Sequence, residues 1–245
     1  MRNLHTALAA AMTLIWTYSL HAGAPLPLDK VASADDLVAE ALAKGAEIEG
    51  YLASAEAYQQ NADKLRPSAS LLAVVGQALS EHPQDSKLKA AGPSLREGAM
   101  ALARSRSFEE AKAAWPTVQA ALGGNATGQP PVEFDWAKLT KMHPSMEEMN
   151  SRASQLRRVL RRPKDPAVDS RHATAIALLA VATHADVHEV KNPADTPKWH
   201  AWSVALQERM SASAKAIQAK DTATANKEFI AGMDTCTQCH DAFKK

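Results

Sequence analysis

The sequence predicts an all-α protein built as two tandem four-helix bundles, with a chemical motif on the last helix. Three observations lead there. Apolar residues make up 46% of the 245 positions, and most recur at steps of three and four, the spacing of one helix face. Glycine (10) and aromatic residues (5%) are too scarce for a sandwich or barrel. The string Leu71-Leu72-Ala73-Val74 returns as Leu178-Leu179-Ala180-Val181, 107 residues further on, within a similar order of helices and breaks.

The chain opens with Met1-Arg2-Asn3, a short positive start, followed by an uncharged apolar run from Ala7 to Leu20 and small residues at Ala22, Gly23 and Ala24. This is the layout of a secretory signal peptide, expected over 1–24. The run falls short of the roughly 20 apolar residues a membrane span needs. Export to the periplasm or beyond is expected, with no stable membrane insertion after cleavage.

Beyond the signal, a first unit is expected over 25–124, with helices at 34–60, 67–81, 94–104 and 107–122. The stretch Gly123-Gly124-Asn125-Ala126-Thr127-Gly128-Gln129-Pro130-Pro131 interrupts the pattern, and 125–131 reads as a linker. The second unit, 132–245, is expected to hold helices at 135–162, 169–190, 197–219 and 222–243, separated by proline-containing breaks.

Charge removes several function classes. Lys+Arg (28) and Asp+Glu (27) nearly cancel, giving a net charge of +1, so no global field for nucleic acid exists. Two cysteines cannot form a disulfide scaffold or a four-cysteine zinc site. No acid–base constellation of the kind an enzyme needs is evident.

The two cysteines fall in Thr235-Cys236-Thr237-Gln238-Cys239-His240, which contains C-x-x-C-H, the signature of covalent c-type haem attachment. At about 100° per residue, Cys239 lies about 60° from Cys236 and His240 about 40° on its other side, so all three share one helix face. Two thiols can then bond the two vinyl groups of a porphyrin while the adjacent imidazole reaches the iron. Other readings of the pair exist. A dithiol redox pair normally follows a strand, and none precedes this one. A zinc site needs further ligands from elsewhere. A structural disulfide suits an oxidising compartment. Export suits haem attachment equally, and two cysteines cap the covalent haem count at one.

At these residues the C-terminal half resembles the cytochrome c-prime group and its methionine-ligated relatives, the class II c-type cytochromes. Cys236-Thr237-Gln238-Cys239-His240-Asp241-Ala242-Phe243-Lys244 is similar to the family's C-x-x-C-H-x-x-aromatic-basic ending, and Trp199 and Lys220-Asp221 resemble further family features. The resemblance spans 132–245 and implies a four-helix bundle with one haem c, held through Cys236 and Cys239, and His240 as proximal ligand. The N-terminal half looks like a degenerate copy without the motif, with Ala121-Leu122-Gly123-Gly124 near its expected place. The family forms dimers through bundle helices, so a homodimer is implied unless the N-terminal half takes that interface.

The distal ligand is expected from the first helix of this half. Leu139, Met142, Met146, Met149, Ala153, Leu156 and Leu160 form its inner stripe. Methionine usually fills cores, but a thioether is also a common sixth ligand of haem iron. Met142 is the first candidate, Met146 the second and His143 the third. His184 and His188, four apart on the expected 169–190 helix, read as solvent-facing, and Trp199 and Trp202 as packing residues. Lys244 and Lys245 are either propionate partners or a solvated tail. The basic run at Arg157, Arg158, Arg161 and Arg162 complements a helix end.

The sequence therefore leads to an exported one-haem electron carrier serving a redox partner protein. The alternative is a gas-binding or sensing haem protein with an open sixth position.

Overall fold

The computed structural model describes residues 23–244, and over these the chain is all-α, with no strand among the described residues. The expected signal segment lies outside them apart from Gly23 and Ala24, as does Lys245. The helices are α1 (Leu28–Val31), α2 (Ala34–Tyr51), α3 (Ala55–Glu81), α4 (Gly92–Arg104), α5 (Phe108–Leu122), α6 (Met142–Arg161), α7 (Pro166–Ala185), α8 (Thr196–Gln218) and α9 (Thr222–Phe243). Single 3-10 turns at Trp136–Lys138 and Pro193–Asp195 precede α6 and α8. No described helix is long and apolar enough to cross a membrane.

Side-chain caps set most of the starts. Ser33 and Asp36 form a reciprocal capping box at α2, Ser54 accepts from Ala57 N–H at α3, and Ser107 accepts from Glu110 N–H at α5. Asp165 accepts from the Ala167 and Val168 amides, while Pro166 occupies the first position of α7, where its missing N–H costs nothing.

The boundaries differ from the sequence expectation at three places. The helix expected over 34–60 ends at Tyr51, and α3 runs from Ala55 through Pro67, with its backbone departing from helical geometry at Asn61 (φ −128°, ψ 15°). The expected helix over 135–162 divides into the Trp136 turn and α6. Pro144 then sits in the first turn of α6, where its lack of an N–H is tolerated. The expected helix over 169–190 ends at Ala185, so His188 is not helical.

Within the N-terminal half α3 packs against α2 and α4, and α5 against α2 and α4; in the C-terminal half α7 packs against α6 and α8, and α9 against α6 and α8. Leu71–Val74 and Leu178–Val181, the repeated strings, are completely buried at the middle of α3 and α7. These two helices also touch one another, and α3 touches α6, so the halves share one continuous apolar core. A helix apolar on all sides is stable only when covered on all sides. Helix α1 crosses over to α7 and α8, where Ser211 Oγ donates to Val31 O at 3.0 Å.

The segment between the halves is tied down. Ser94 Oγ bonds both the amide and the carbonyl of Thr127 at 2.9 Å, and the fully buried Arg96 donates to Pro131 O at 3.0 Å. Gly124, at φ +84°, makes the left-handed exit from α5 that a side chain would strain.

Candidate functional site

Helix α9 carries the C-x-x-C-H residues on its last two turns. Its start is fixed by Asp221, whose side chain accepts from Thr224 N–H at 3.0 Å, just after Lys220 takes a left-handed φ of 60° to end α8. Ala225 and Phe229 then bury the helix against the core. Continuing at the helical repeat, Cys236 and Cys239 come round half-buried, while His240 lies more open.

These residues border two adjoining cavities. The inner one, about 140 Å³, is enclosed by Cys236, Cys239 and His240 of α9, Met146, Met149 and Ala153 of α6, Ile176 and Ala180 of α7, and Trp202 and Leu206 of α8, among others. The outer one, about 610 Å³, is bounded by Met142, His143 and Met146 of α6, Trp199, and Cys239, His240 and Phe243 of α9. Met146, Asn150, Cys239 and His240 border both. Together the cavities fall within the roughly 300–1,000 Å³ typical of cofactor pockets.

The inner lining is largely apolar, and that environment acts on the thiols. Burial, with a smaller contribution from Cys239, pushes the Cys236 thiol up to about 11, and burial raises Cys239 as well. Both are free, protonated thiols at neutral pH. A reactive dithiol would sit at a helix N-terminus or beside a cation that lowers its pKa, whereas these sit near the C-terminus of a 22-residue helix. Among the described residues no three His, Cys, Asp or Glu side chains are grouped so as to hold a metal ion.

The residues present fit a covalent haem. Two neutral thiols, an imidazole and a thioether-bearing helix meet around one apolar hollow. Cys236 and Cys239 would hold the group, and His240 and a methionine of α6 would be the side chains available to its iron.

The other expected residues are distributed unevenly. Met146 is at the junction of the two cavities, whereas Met142 borders the outer and not the inner one. The His143 side chain is 84% exposed and lies 3.5 Å from Glu147. Trp199 is buried, donates its indole N–H to Thr183 O at 2.8 Å, and meets Phe243 edge-on at 5.1 Å. Trp202 meets the same ring at 5.7 Å. Lys244 borders the outer cavity with Lys191, Glu147 and Glu189. At the far end of α6, Arg157, Arg158, Arg161 and Arg162 are all exposed, and Arg157 also lies over the Phe229 ring at 5.6 Å.

His184 and His188 do not form the expected pair on one helix. His184 stacks on His200 of α8 with centroids 4.1 Å apart, and His188, beyond the helix end, contacts Asp186 and Glu189. Two contributors escaped the sequence reading. Asn150, one turn after Met146, borders both cavities, and Thr183 lines the inner one. The i,i+4 spacing from Met146 was the available signal for Asn150.

Set beside known protein families, curated proteins and solved structures, the chain matches none of them.

Proposed function

We propose that this chain is an exported c-type cytochrome with one covalent haem, organised as two tandem four-helix bundles, and that it carries electrons rather than transforming a substrate. The observation that carries the reading is the shared cavity: Cys236, Cys239 and His240 of α9 border the same apolar hollow as Met146 of α6. When bound, the haem supplies a one-electron couple at its iron.

The chain's own residues do the rest. Cys236 and Cys239 would hold the haem covalently, each through a thioether that addition of its S–H to a vinyl group would give without a leaving group or external oxidant. His240 would supply an imidazole nitrogen to the iron. Met146, which borders both cavities, is favoured over Met142 as the methionine that would supply a thioether to the iron, a ligand that raises the reduction potential. Ile176, Ala180 and Leu206 exclude water from the inner side, and Trp199, Trp202 and Phe243 pack the flank. A separate redox protein, meeting the chain in the periplasm or beyond, is the partner this role requires.

The apolar inner lining also favours a second reading, in which the sixth position stays open to a small gas. One experiment separates them. Protein made alongside haem-attachment machinery is examined by absorption spectroscopy in both oxidation states. A low-spin ferric spectrum with a methionine–iron charge-transfer band supports the carrier. A high-spin five-coordinate spectrum rejects it in favour of the gas-binding reading.

A further inference from the structure

The N-terminal half lacks the attachment motif, yet it grips α6, the helix bearing Met142, Met146 and Met149, through charges buried out of water. Glu40 and Lys44 stand one turn apart on α2 and are 1% and 3% exposed. Glu148 and Arg152 stand one turn apart on α6 and are 4% and 8% exposed. Lys44 Nζ donates to Glu148 Oε1 at 2.9 Å, and Arg152 Nε donates to the same oxygen at 2.8 Å. The Nη2 of Arg152 pairs with Glu40, and its Nη1 donates to Nδ1 of His172 on α7 at 3.4 Å. Lys44 is held in turn by Glu47 at 2.7 Å and by Ser68 Oγ on α3 at 3.4 Å.

Such a lattice is directional in a way apolar packing is not. Each buried charge must keep its partner or stand uncompensated, and fixing register is the best-attested use of buried ionic groups. Stability alone explains it poorly, because Glu40 Oε2 is buried without a hydrogen-bond partner among the described residues. On α6 the Glu148/Arg152 face lies about 110° around the helix from the Met146/Met149 face. A turn or slide of α6 that displaced the methionines would break the charge lattice, and the reverse holds equally.

We propose that the N-terminal half is a clamp: Glu40 and Lys44, through Glu148 and Arg152, fix the register at which the α6 methionine meets the haem iron. This rests on the haem reading above. Glu40 and Lys44 are positioning residues, lining neither cavity.

The test uses the full chain with haem attached and compares the wild type with Glu40→Gln and Lys44→Met, with Lys44→Arg as the conservative variant. The readouts are covalent haem on a denaturing gel, helix content, the ferric methionine–iron band, and the affinity of added imidazole for the iron. The clamp predicts retained haem and helicity, a weakened band, and imidazole binding about tenfold tighter, within the roughly 5–150-fold range of coupled sites. Lys44→Arg should return both values toward the wild type. Wild-type band and imidazole affinity in the two neutralising variants overturn the clamp and leave the haem reading standing. Wild-type protein without covalent haem overturns both, and covalent haem without the band overturns the clamp and the carrier while leaving one attached haem.

A measurement on the unaltered protein covers the case in which the variants do not fold. Because coupling is reciprocal, saturating imidazole should speed amide hydrogen exchange over residues 40–45 of α2. Unchanged exchange there rejects the clamp.

Discussion

Met146 on α6 and His240 on α9 border the same two adjoining cavities, although 94 positions separate them in the chain. Met142, a turn earlier, reaches the outer cavity and not the inner. Met146→Ala should therefore abolish the ferric methionine–iron band, while Met142→Ala should leave it in place. Absorption spectra of the two variants check this, and the reverse pattern assigns the ligand to Met142.

The two thiols and the imidazole have separable jobs. Cys236→Ala combined with Cys239→Ala should give protein whose haem is lost on a denaturing gel. His240→Ala should keep the covalent group while altering the iron's spin state, because the thioethers do not involve the imidazole. Haem staining retained by the double variant contradicts the attachment assignment.

Stability should fall on acidification through the histidine behind the charge lattice. Burial, then the charges of Arg152, Arg171 and Lys44, against Asp169, depress His172 from 6.5 to about 4. The neutral ring accepts the Arg152 hydrogen bond. The unfolded chain therefore takes up this proton first. The contribution of His172 is whole above pH 6.5 and is lost as pH falls toward 4, on the order of 2 kcal/mol after allowing for its partial exposure. Urea denaturation from pH 7 to 4, with a His172→Gln comparison, measures it; equal pH slopes in the two proteins contradict the assignment.

Two close contacts should prove sensitive to single atoms. A Cβ at Gly76 would lie 2.6 Å from the Arg96 backbone nitrogen, where α3 and α4 meet, so Gly76→Ala should cost roughly 1–3 kcal/mol by overpacking. Trp199→Phe removes the indole donor to Thr183 O and should cost roughly 1–3 kcal/mol, with covalent haem retained. Denaturant midpoints report both.

What the sequence revealed tracks the range of the interaction concerned. The all-α class was legible because three- and four-residue apolar spacing is local. The grouping of Cys236, Cys239 and His240 on one face was legible for the same reason. Helix ends were less so. Pro67 suggested a break, but Ser54 caps the later helix and core packing carries α3 through the proline. Trp136 extended the apolar pattern of α6 backwards, although its indole is directed to Glu81 at 3.0 Å in the other half. The Glu40–Arg152 pair spans 112 positions. Its only local trace is one Glu–Lys and one Glu–Arg pair at i,i+4, which read equally well as solvated helix faces.

The most direct test of the central claim is the intact mass of the denatured protein after production with haem-attachment machinery. One haem per chain, retained without native structure and absent when Cys236 and Cys239 are both alanine, is the predicted result. A mass equal to the processed polypeptide alone contradicts it.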